Sequence, residues 1–313
     1  MKLHNLRDFV AVAQTGSLRA AARQLDLAQP SLSKSIQQLE TELGATLFER
    51  NARGAMLTPA GKAFLHRAQA ALNELKRGQG EVRQISSGTG GSVSMAVSAA
   101  VALSVLPDTI KAFSAKFPDA AIRIIPAQPG TMLPELRAGA LDFAIGPRPS
   151  VPLGDDYSVE LLMQNRRAIV CRREHPLRKA RRLRDLLSAQ WLVSSATGMM
   201  ATDHDQFFQS HGLDVPPRVV QCDYGTATWS LLASTDMLAV QPRQWVEAAL
   251  MKGVLMEIPI DEKLPSIDIV LVRRRGLPPT PAAETMLSLL QRHIVYYAGE
   301  GGREDSGKFY RRG

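Results

Sequence analysis

Aromatic side chains are scarce in this 313-residue chain: three tryptophans, five tyrosines and nine phenylalanines, 5% in all. That is thin material for stacking bases along a single strand, so a single-strand nucleic-acid platform is disfavoured. Cysteine is scarcer still. Cys171 and Cys222 are too few for a disulfide scaffold or a four-cysteine zinc site, and a reduced compartment is expected. No run of about 18 uninterrupted apolar residues occurs, which excludes a membrane-spanning helix. The stretch Met1–Asp8 scatters charge and lacks an apolar core, so it does not read as a secretory signal and a cytoplasmic location is expected. Phosphate-cradling glycine loops and nucleophile–base sets are also missing. The chain is therefore not expected to be an enzyme, and no cofactor is expected.

What is present is ordinary globular material, 45% apolar and 22% charged, long enough for two or three domains. The 38 lysines and arginines exceed the 30 aspartates and glutamates, a net charge of +8. Residues 1–90 hold twelve basic and seven acidic side chains, so the excess leans toward the N-terminus. Such a balance argues for a kind of partner, nucleic acid among them, and not for a fold.

Two pattern changes divide the chain. Up to about residue 87 the apolar spacing is helical, three and four residues apart. The run Ser86-Ser87-Gly88-Thr89-Gly90-Gly91-Ser92 then reads as a hinge. Beyond it the sequence predicts strands at 93–98, 121–127, 141–145, 168–172, 191–194, 218–222, 237–241 and 267–273. Helices are predicted near 103–117, 131–138, 200–211, 225–234, 242–251 and 281–297. Alternation of this kind predicts an α/β domain on a largely parallel sheet. The glycine- and charge-rich residues 298–313 predict a disordered tail. No internal repeat is found.

The N-terminal stretch predicts three helices. The first, over 3–14, buries Leu3, Leu6, Phe9, Val10 and Ala13. Gly16 stops it, and Ser17 caps a short alanine-rich second helix over 18–25. The third carries Leu32, Ile36, Leu39 and Leu43 inward, and Pro30, Ser33, Lys34 and Gln37 on another face. Small and hydrogen-bonding side chains with one cation suit a helix lying in a major groove; a merely solvated face is the alternative. The turn-rich basic run from Phe48 to Gly54 follows as a wing would, with Arg53 able to enter a minor groove or hold a phosphate.

The run Leu6–Phe9, Gly16–Ala22, Gln29-Pro30-Ser31-Leu32-Ser33, Ile36, Leu39-Glu40, Leu43-Gly44, Leu47-Phe48-Glu49-Arg50, Arg53 and Leu57–Gly61 resembles the winged helix-turn-helix of the LysR-type transcriptional regulators. About 60 consecutive residues carry the likeness. Ala28 stands where a serine is often found, which costs a cap and leaves the reading face intact. The resemblance implies an all-α winged helix-turn-helix domain at 1–58 that binds double-stranded operator DNA. Gln29, Pro30, Ser33, Lys34 and Arg53 would lie nearest bases, Gln37 on the same face, and Ser17, Ser31 and Arg50 would serve the backbone or the wing.

Leu65, Ala68, Leu72, Leu75, Gln79 and Val82 are spaced alternately three and four apart, a seam that predicts a pairing helix over 59–87. Packing of the seam on its own domain is the alternative. The resemblance agrees with a linker helix that pairs subunits, and implies a homodimer assembling to a homotetramer, with RNA polymerase as a further partner to consider.

After the hinge at 88–91, residues 92–297 resemble the periplasmic-binding-protein-like effector domain of the same family. One subdomain is expected at 92–163 plus 266–297 and the other at 164–265. The runs Leu106-Pro107, Phe117-Pro118, Leu141–Ile145, His175-Pro176-Leu177 and Leu238–Pro242 come in the family's order; Ser234-Thr235-Asp236 departs from its usual glycines. The closing run Leu277–Ala283 resembles the aromatic-sulfonate-responsive branch. Ligands of open α/β sheets bind where strands end and helices begin. That gathers Ser98, Ala99, Ala100, Gln128, Thr131, Gly146, Pro147, Arg148, Ser194, Ser195, Thr197, Met199, Tyr224, Gln241 and Pro242 around one expected cleft. Helix starts and hydroxyls there suit a small organic anion, a carboxylate or sulfonate, with Met199, Met200 and Tyr224 available to cover an aromatic ring. Arg148 is the one cation expected among these loops.

Three other groupings read more simply as structure. Asp203, His204, Asp205 and His211 are expected on a solvated helix, with no metal. Cys171 and Cys222 sit in strand-like apolar runs and are expected as buried structural thiols. The basic cluster Arg166–Arg184 reads as solvated or as a subunit contact, with DNA or an acidic surface as the alternative. A ligand-responsive transcription regulator is thus the leading expectation. A small-molecule-binding protein or an enzyme using the same cleft is the alternative.

Overall fold

A computed structural model describes residues 1–51, 54–87, 90–193, 201–248, 251–276 and 278–301. The chain folds as two compact units, Met1–Gly91 with Leu133–Leu141, and Ser92–Met132 with the chain from Asp142 onward.

The first unit opens with three helices, α1 (Leu3–Thr15), α2 (Leu18–Gln24) and α3 (Gln29–Leu43). Phe9, Val12, Ala21, Ala22, Leu32, Ile36 and Leu39 close one apolar core. Leu3 and Leu43, expected inward, are 42% and 38% exposed; they stand at helix ends, beyond the reach of that core. Strands β1 (Phe48–Asn51) and β2 (Gly54–Leu57) pair antiparallel as the wing. Gly54 has φ +119°, and a Cβ there would collide with the Gly16 carbonyl oxygen, so only glycine lets the wing lie against the α1–α2 turn. Helix α4 (Pro59–Ser87) leaves from the wing.

The seam on α4 divides in two. Ala68 is 2% exposed inside the winged domain's own core, with Leu65 and Leu72 packed against it. Leu75 and Val82 are exposed. The first three positions therefore serve intradomain packing, and only the later half of the helix offers a free apolar edge. Asn73 Nδ2 donates to the Ala138 carbonyl at 2.8 Å, a bond that the apolar spacing does not foretell.

The second unit contains two five-stranded sheets among the described residues. Its strands are β3 (Ser92–Val97), β4 (Ala121–Pro126), β5 (Phe143–Pro147), β6 (Tyr157–Asn165), β7 (Arg167–Arg172), β8 (Gln190–Val193), β9 (Val219–Gln221), β10 (Met237–Pro242), β11 (Leu255–Ile258) and β12 (Ile267–Arg274). Its helices are α5 (Ala99–Ser104), α6 (Leu106–Lys116), α7 (Pro129–Arg137, whose end belongs to the first unit), α8 (Ala201–Ser210), α9 (Gly225–Ser234), α10 (Gln244–Glu247) and α11 (Pro281–Gly301). One sheet runs β4-β3-β5-β12-β6 and the other β9-β8-β10-β7-β11. In each, three strands pair in parallel and the last two pairings are antiparallel, so that the fourth strand alone runs against the others. The sheets are thus mixed where a largely parallel one was expected, and they repeat one topology that the sequence does not display as a repeat.

The chain passes from the first sheet to the second between β6 and β7. Gln164 and Asn165 pair with Asp268 and Ile267, so they belong to the first sheet although the expected boundary puts them in the second. The helix expected at 103–117 is two helices. Pro107 cannot donate to a helical carbonyl, and the chain breaks at Val105. The helix expected at 242–251 shrinks to α10, because Ala248 turns extended toward β11. Residues 298–301, expected in a disordered tail, continue α11, while 302–313 lie outside the described residues, as do Gly88, Thr89 and Leu277.

Candidate functional site

On the winged domain, the outer face of α3 presents exposed Gln29, Pro30, Ser31, Lys34 and Gln37, with Ser33 half-buried. Pro30 sits in the first helical turn, and Ala28 supplies no side-chain cap. Ser17 Oγ accepts from the Ala20 amide at the start of α2. The helix is held to its neighbours by polar groups that the apolar periodicity does not single out. Asn5, fully buried, donates from Nδ2 to both the carbonyl and the hydroxyl of Ser35, fixing α1 to α3. Glu40 Oε1 accepts from the amides of Leu47 (2.7 Å) and Phe48 (3.2 Å), which sets where the wing begins. A polar residue beside an apolar stripe is the available signal for Asn5. Arg50 lies on β1 with its backbone paired to Ala55; Arg53 lies outside the described residues.

In the second unit a narrow cleft, with room for little more than a water molecule in this conformation, is lined by Ser98, Ala99, Ala100, Pro147, Asn165, Arg167, Pro242, Ile267 and Ile269. Its floor is made of cross-strand partners: Pro147 with Ile269 and Asn165 with Ile267 from the first sheet, Pro242 with Arg167 from the second. Ser98 stands at the start of α5, its amide bonded to the Ile145 carbonyl at 2.8 Å. Its hydroxyl, shielded from solvent, has no hydrogen-bond partner among the described residues. Arg167, a cation 8% exposed, also lines the cleft. Gln244 Nε2 donates to Asn165 Oδ1 at 2.7 Å, orienting that amide.

The structure thus brings five of the expected residues together (Ser98, Ala99, Ala100, Pro147 and Pro242), while Gln128, Thr131, Gly146, Arg148, Tyr224 and Gln241 are not in the lining. Arg148 is exposed and paired with Asp268 at 3.2 Å. The cation in the cleft is Arg167, which in the sequence belongs to a cluster expected to be solvated; Pro242 lies opposite it, a non-local pairing that no local pattern announces. Thr131 and Tyr224 are exposed. Gln128 and Gln241 do not line the cleft, although buried Gln241 keeps an Oε1 without a hydrogen-bond partner among the described residues. Gly146 serves packing: a Cβ there would meet the Ala127 Cβ at 2.6 Å. Ser194, Ser195, Thr197, Met199 and Met200 lie outside the described residues.

The remaining groupings resolve into core chemistry. His204 is 1% exposed, edge-on to Trp191 and tilted against Phe208, with ring centroids 5.5 and 5.0 Å away. It is therefore not the solvated residue expected. Burial holds its pKa below the ordinary value, while Asp205 pulls weakly the other way. His211 Nδ1 is instead 2.8 Å from the Phe207 carbonyl. Burial pushes the Cys171 thiol up to about 12, away from thiolate chemistry. Cys222, expected buried, is half-exposed.

A winged helix-turn-helix followed by a two-lobed α/β domain with a polar and apolar cleft between its sheets is the architecture of a ligand-responsive DNA-binding regulator. Residues 3–62 match the model for the "Bacterial regulatory helix-turn-helix protein, lysR family", and residues 86–294 match the "LysR substrate binding domain". The chain belongs to the LysR family of transcriptional regulators, proteins that bind DNA and sense effectors. It is 27% identical over 295 residues to the regulator TdcA of Escherichia coli K12, covering 94% of each chain. It is 26% identical over 294 residues to GbpR of Azospirillum brasilense, covering 93% of this chain and 86% of that one. Among solved structures, the LysR family regulator CbnR superposes with a TM-score of 0.68 at 22% identity, over 94% of this chain and 99% of CbnR. A structure of CbnR with its target DNA gives 0.66, at 23% identity over 94% of this chain and 100% of CbnR.

Proposed function

We propose that this regulator reads an operator through Gln29, Pro30, Ser33, Lys34 and Gln37 of α3, with Ser17, Ser31, Arg50 and Arg53 on the backbone and wing. Its effector, in the same proposal, is a small organic anion bound between the two sheets of the second unit. The observation that carries the effector reading is the pairing, in one cleft, of a buried guanidinium at Arg167 with an unpartnered hydroxyl at Ser98. A buried charge and an orphan hydroxyl both gain from an anionic ligand that accepts their hydrogen bonds. The amide of Asn165, already fixed by Gln244, adds a donor, and Pro147, Pro242, Ile267 and Ile269 supply apolar surface. A carboxylate or sulfonate on a small carbon skeleton, ring or chain, matches that lining. Effector binding across two lobes favours one relative orientation of them, which is how a binding free energy becomes a signal.

Subunits pair, in this reading, along the exposed half of α4 at Leu75 and Val82, as a dimer that assembles further to a tetramer. The domain limits proposed are 1–58, 59–87 and 92–297, with the lobe boundary at Arg166. CbnR's structure with target DNA supports the operator reading by analogy of fold. Gel shift on the DNA upstream of the chain's own gene tests it. Gln29→Ala is expected to weaken the specific complex by ~1–3 kcal/mol and random DNA little; equal losses on both would remove its readout role.

A further inference from the structure

The stretch from Arg166 to Arg184 holds nine basic residues and one acidic, a net +8 equal to that of the whole chain. The rest of the molecule balances to zero. Two of the nine are already used: Arg167 in the cleft, and Arg172 in ion pairs with Asp236 (2.7 Å) and Glu174 (3.7 Å). Between β7 and β8, six of the others form a built feature. Leu177, Ala180, Leu183 and Leu186, spaced by three, turn into the core under Trp191. That spacing forces Lys179, Arg181, Arg182 and Arg184 outward, exposed, with Arg178 half-buried and Arg173 exposed beside them.

The backbone beneath them is fixed. His175, 2% exposed, accepts the Leu177 amide on Nδ1, so its Nε2–H donates to the Asp236 carbonyl. Glu262 Oε1 accepts the Leu183 amide at 2.9 Å, and the Asp261 amide donates to the Arg181 carbonyl at 2.8 Å. Among the described residues none of the six cations makes an ion pair. Glu174 is with Arg172 and Glu262 is turned to the backbone. None of the exposed large apolar side chains falls in 173–184.

We propose that this ridge is a second DNA contact, gripping duplex phosphates in addition to those held by the winged domain. The inference rests on the chain's DNA binding and is independent of the effector reading. Exposed guanidinium groups on a fixed backbone, without ion-pair partners among the described residues, match phosphate oxygens two at a time, and five of the six cations are arginines. A protein-docking surface concentrates its energy in apolar and aromatic anchors, which the ridge lacks.

The test is the salt dependence of DNA affinity, followed by fluorescence anisotropy on the full chain with a random-sequence duplex of about 60 base pairs. In the triple variant Lys179→Ala, Arg182→Ala, Arg184→Ala, none of the altered side chains carries a fold hydrogen bond. Each phosphate left without its cation makes the slope of log K against log salt shallower by about 0.9, so a slope shallower by about 2–3 is expected. Keeping the charge with Arg182→Lys and Arg184→Lys in otherwise parental protein should keep most of the parental slope. An unchanged slope in the alanine variant overturns the proposal. So does a changed oligomeric size in sedimentation, which makes the ridge a subunit interface. Abolished capture of polyglutamate with DNA binding intact overturns it in favour of an acidic protein surface.

Discussion

The two sheets of the second unit share one strand order and contribute opposite chemistry to the cleft between them. The first sheet presents small or neutral groups: Ser98, Ala99 and Ala100 at the start of α5, with Pro147, Asn165, Ile267 and Ile269. The second presents a buried cation, Arg167, at the start of the strand next to the crossing point. Topology therefore fixes where a ligand sits, while the residue types at equivalent edges decide what it is. A neutral wall allows close approach, and one guanidinium sets the sign of the charge accepted.

Exchanging the neutral and charged contributions separates them. The largest effect is expected for Arg167→Gln, which should weaken effector binding by ~2–5 kcal/mol in calorimetry, as removal of one partner from a buried charge pair does. Arg148→Gln, whose partner is Asp268 on the surface, should cost under ~1 kcal/mol in the same titration. If the two arginine variants fall equally, the asymmetry between the sheets is wrong. Next is Gly146→Ala on the neutral side, where the new methyl must displace Ala127. A stability loss of ~1–3 kcal/mol in urea is expected. Ser98→Ala should cost ~1 kcal/mol of effector affinity and leave effector-free DNA binding as it was.

The smallest effect concerns pH and belongs to the second lobe alone. Burial beside Trp191 and Phe208 keeps the folded-state pKa of His204 below its ordinary value of 6.5. Below that value the unfolded chain binds the proton first, so the stability His204 gives is complete above about 6.5 and fades as pH falls through it. Replacing it with phenylalanine should flatten the fall of Tm between about pH 7 and 5 by ~2–4 °C. A parallel fall in both proteins would show that His204 is not the responsible group.

Legibility follows how local each cause is. The reading head is plain in the sequence because helix spacing is local: Leu32, Ile36 and Leu39 are buried where their period puts them, and Ser17 caps as its type suggests. Most strands of the second unit are visible as short apolar runs. Two are not: β6, whose Val159 and Leu161 face solvent at a sheet edge, and β11, too short to stand out. The cleft is half legible. Loop positions such as Ser98, Pro147 and Pro242 follow from strand order. Arg167 follows from burial set by register against Pro242, a residue 75 positions away, and in the sequence it is one arginine in a basic run. The division of the α4 seam is hidden for the same reason, since only the packed core shows that Ala68 is already covered.

The central claim, an anion sensed through Arg167, is tested most directly by a thermal-shift screen of small carboxylates, sulfonates and neutral analogues on the full chain and on Arg167→Gln. Stabilisation grows with ligand concentration over dissociation constant. One or more anions should raise Tm in the parent, their uncharged amides or esters should have no effect, and Arg167→Gln should respond to neither. Stabilisation by neutral compounds, or an equal response of the variant to the anion, would contradict it.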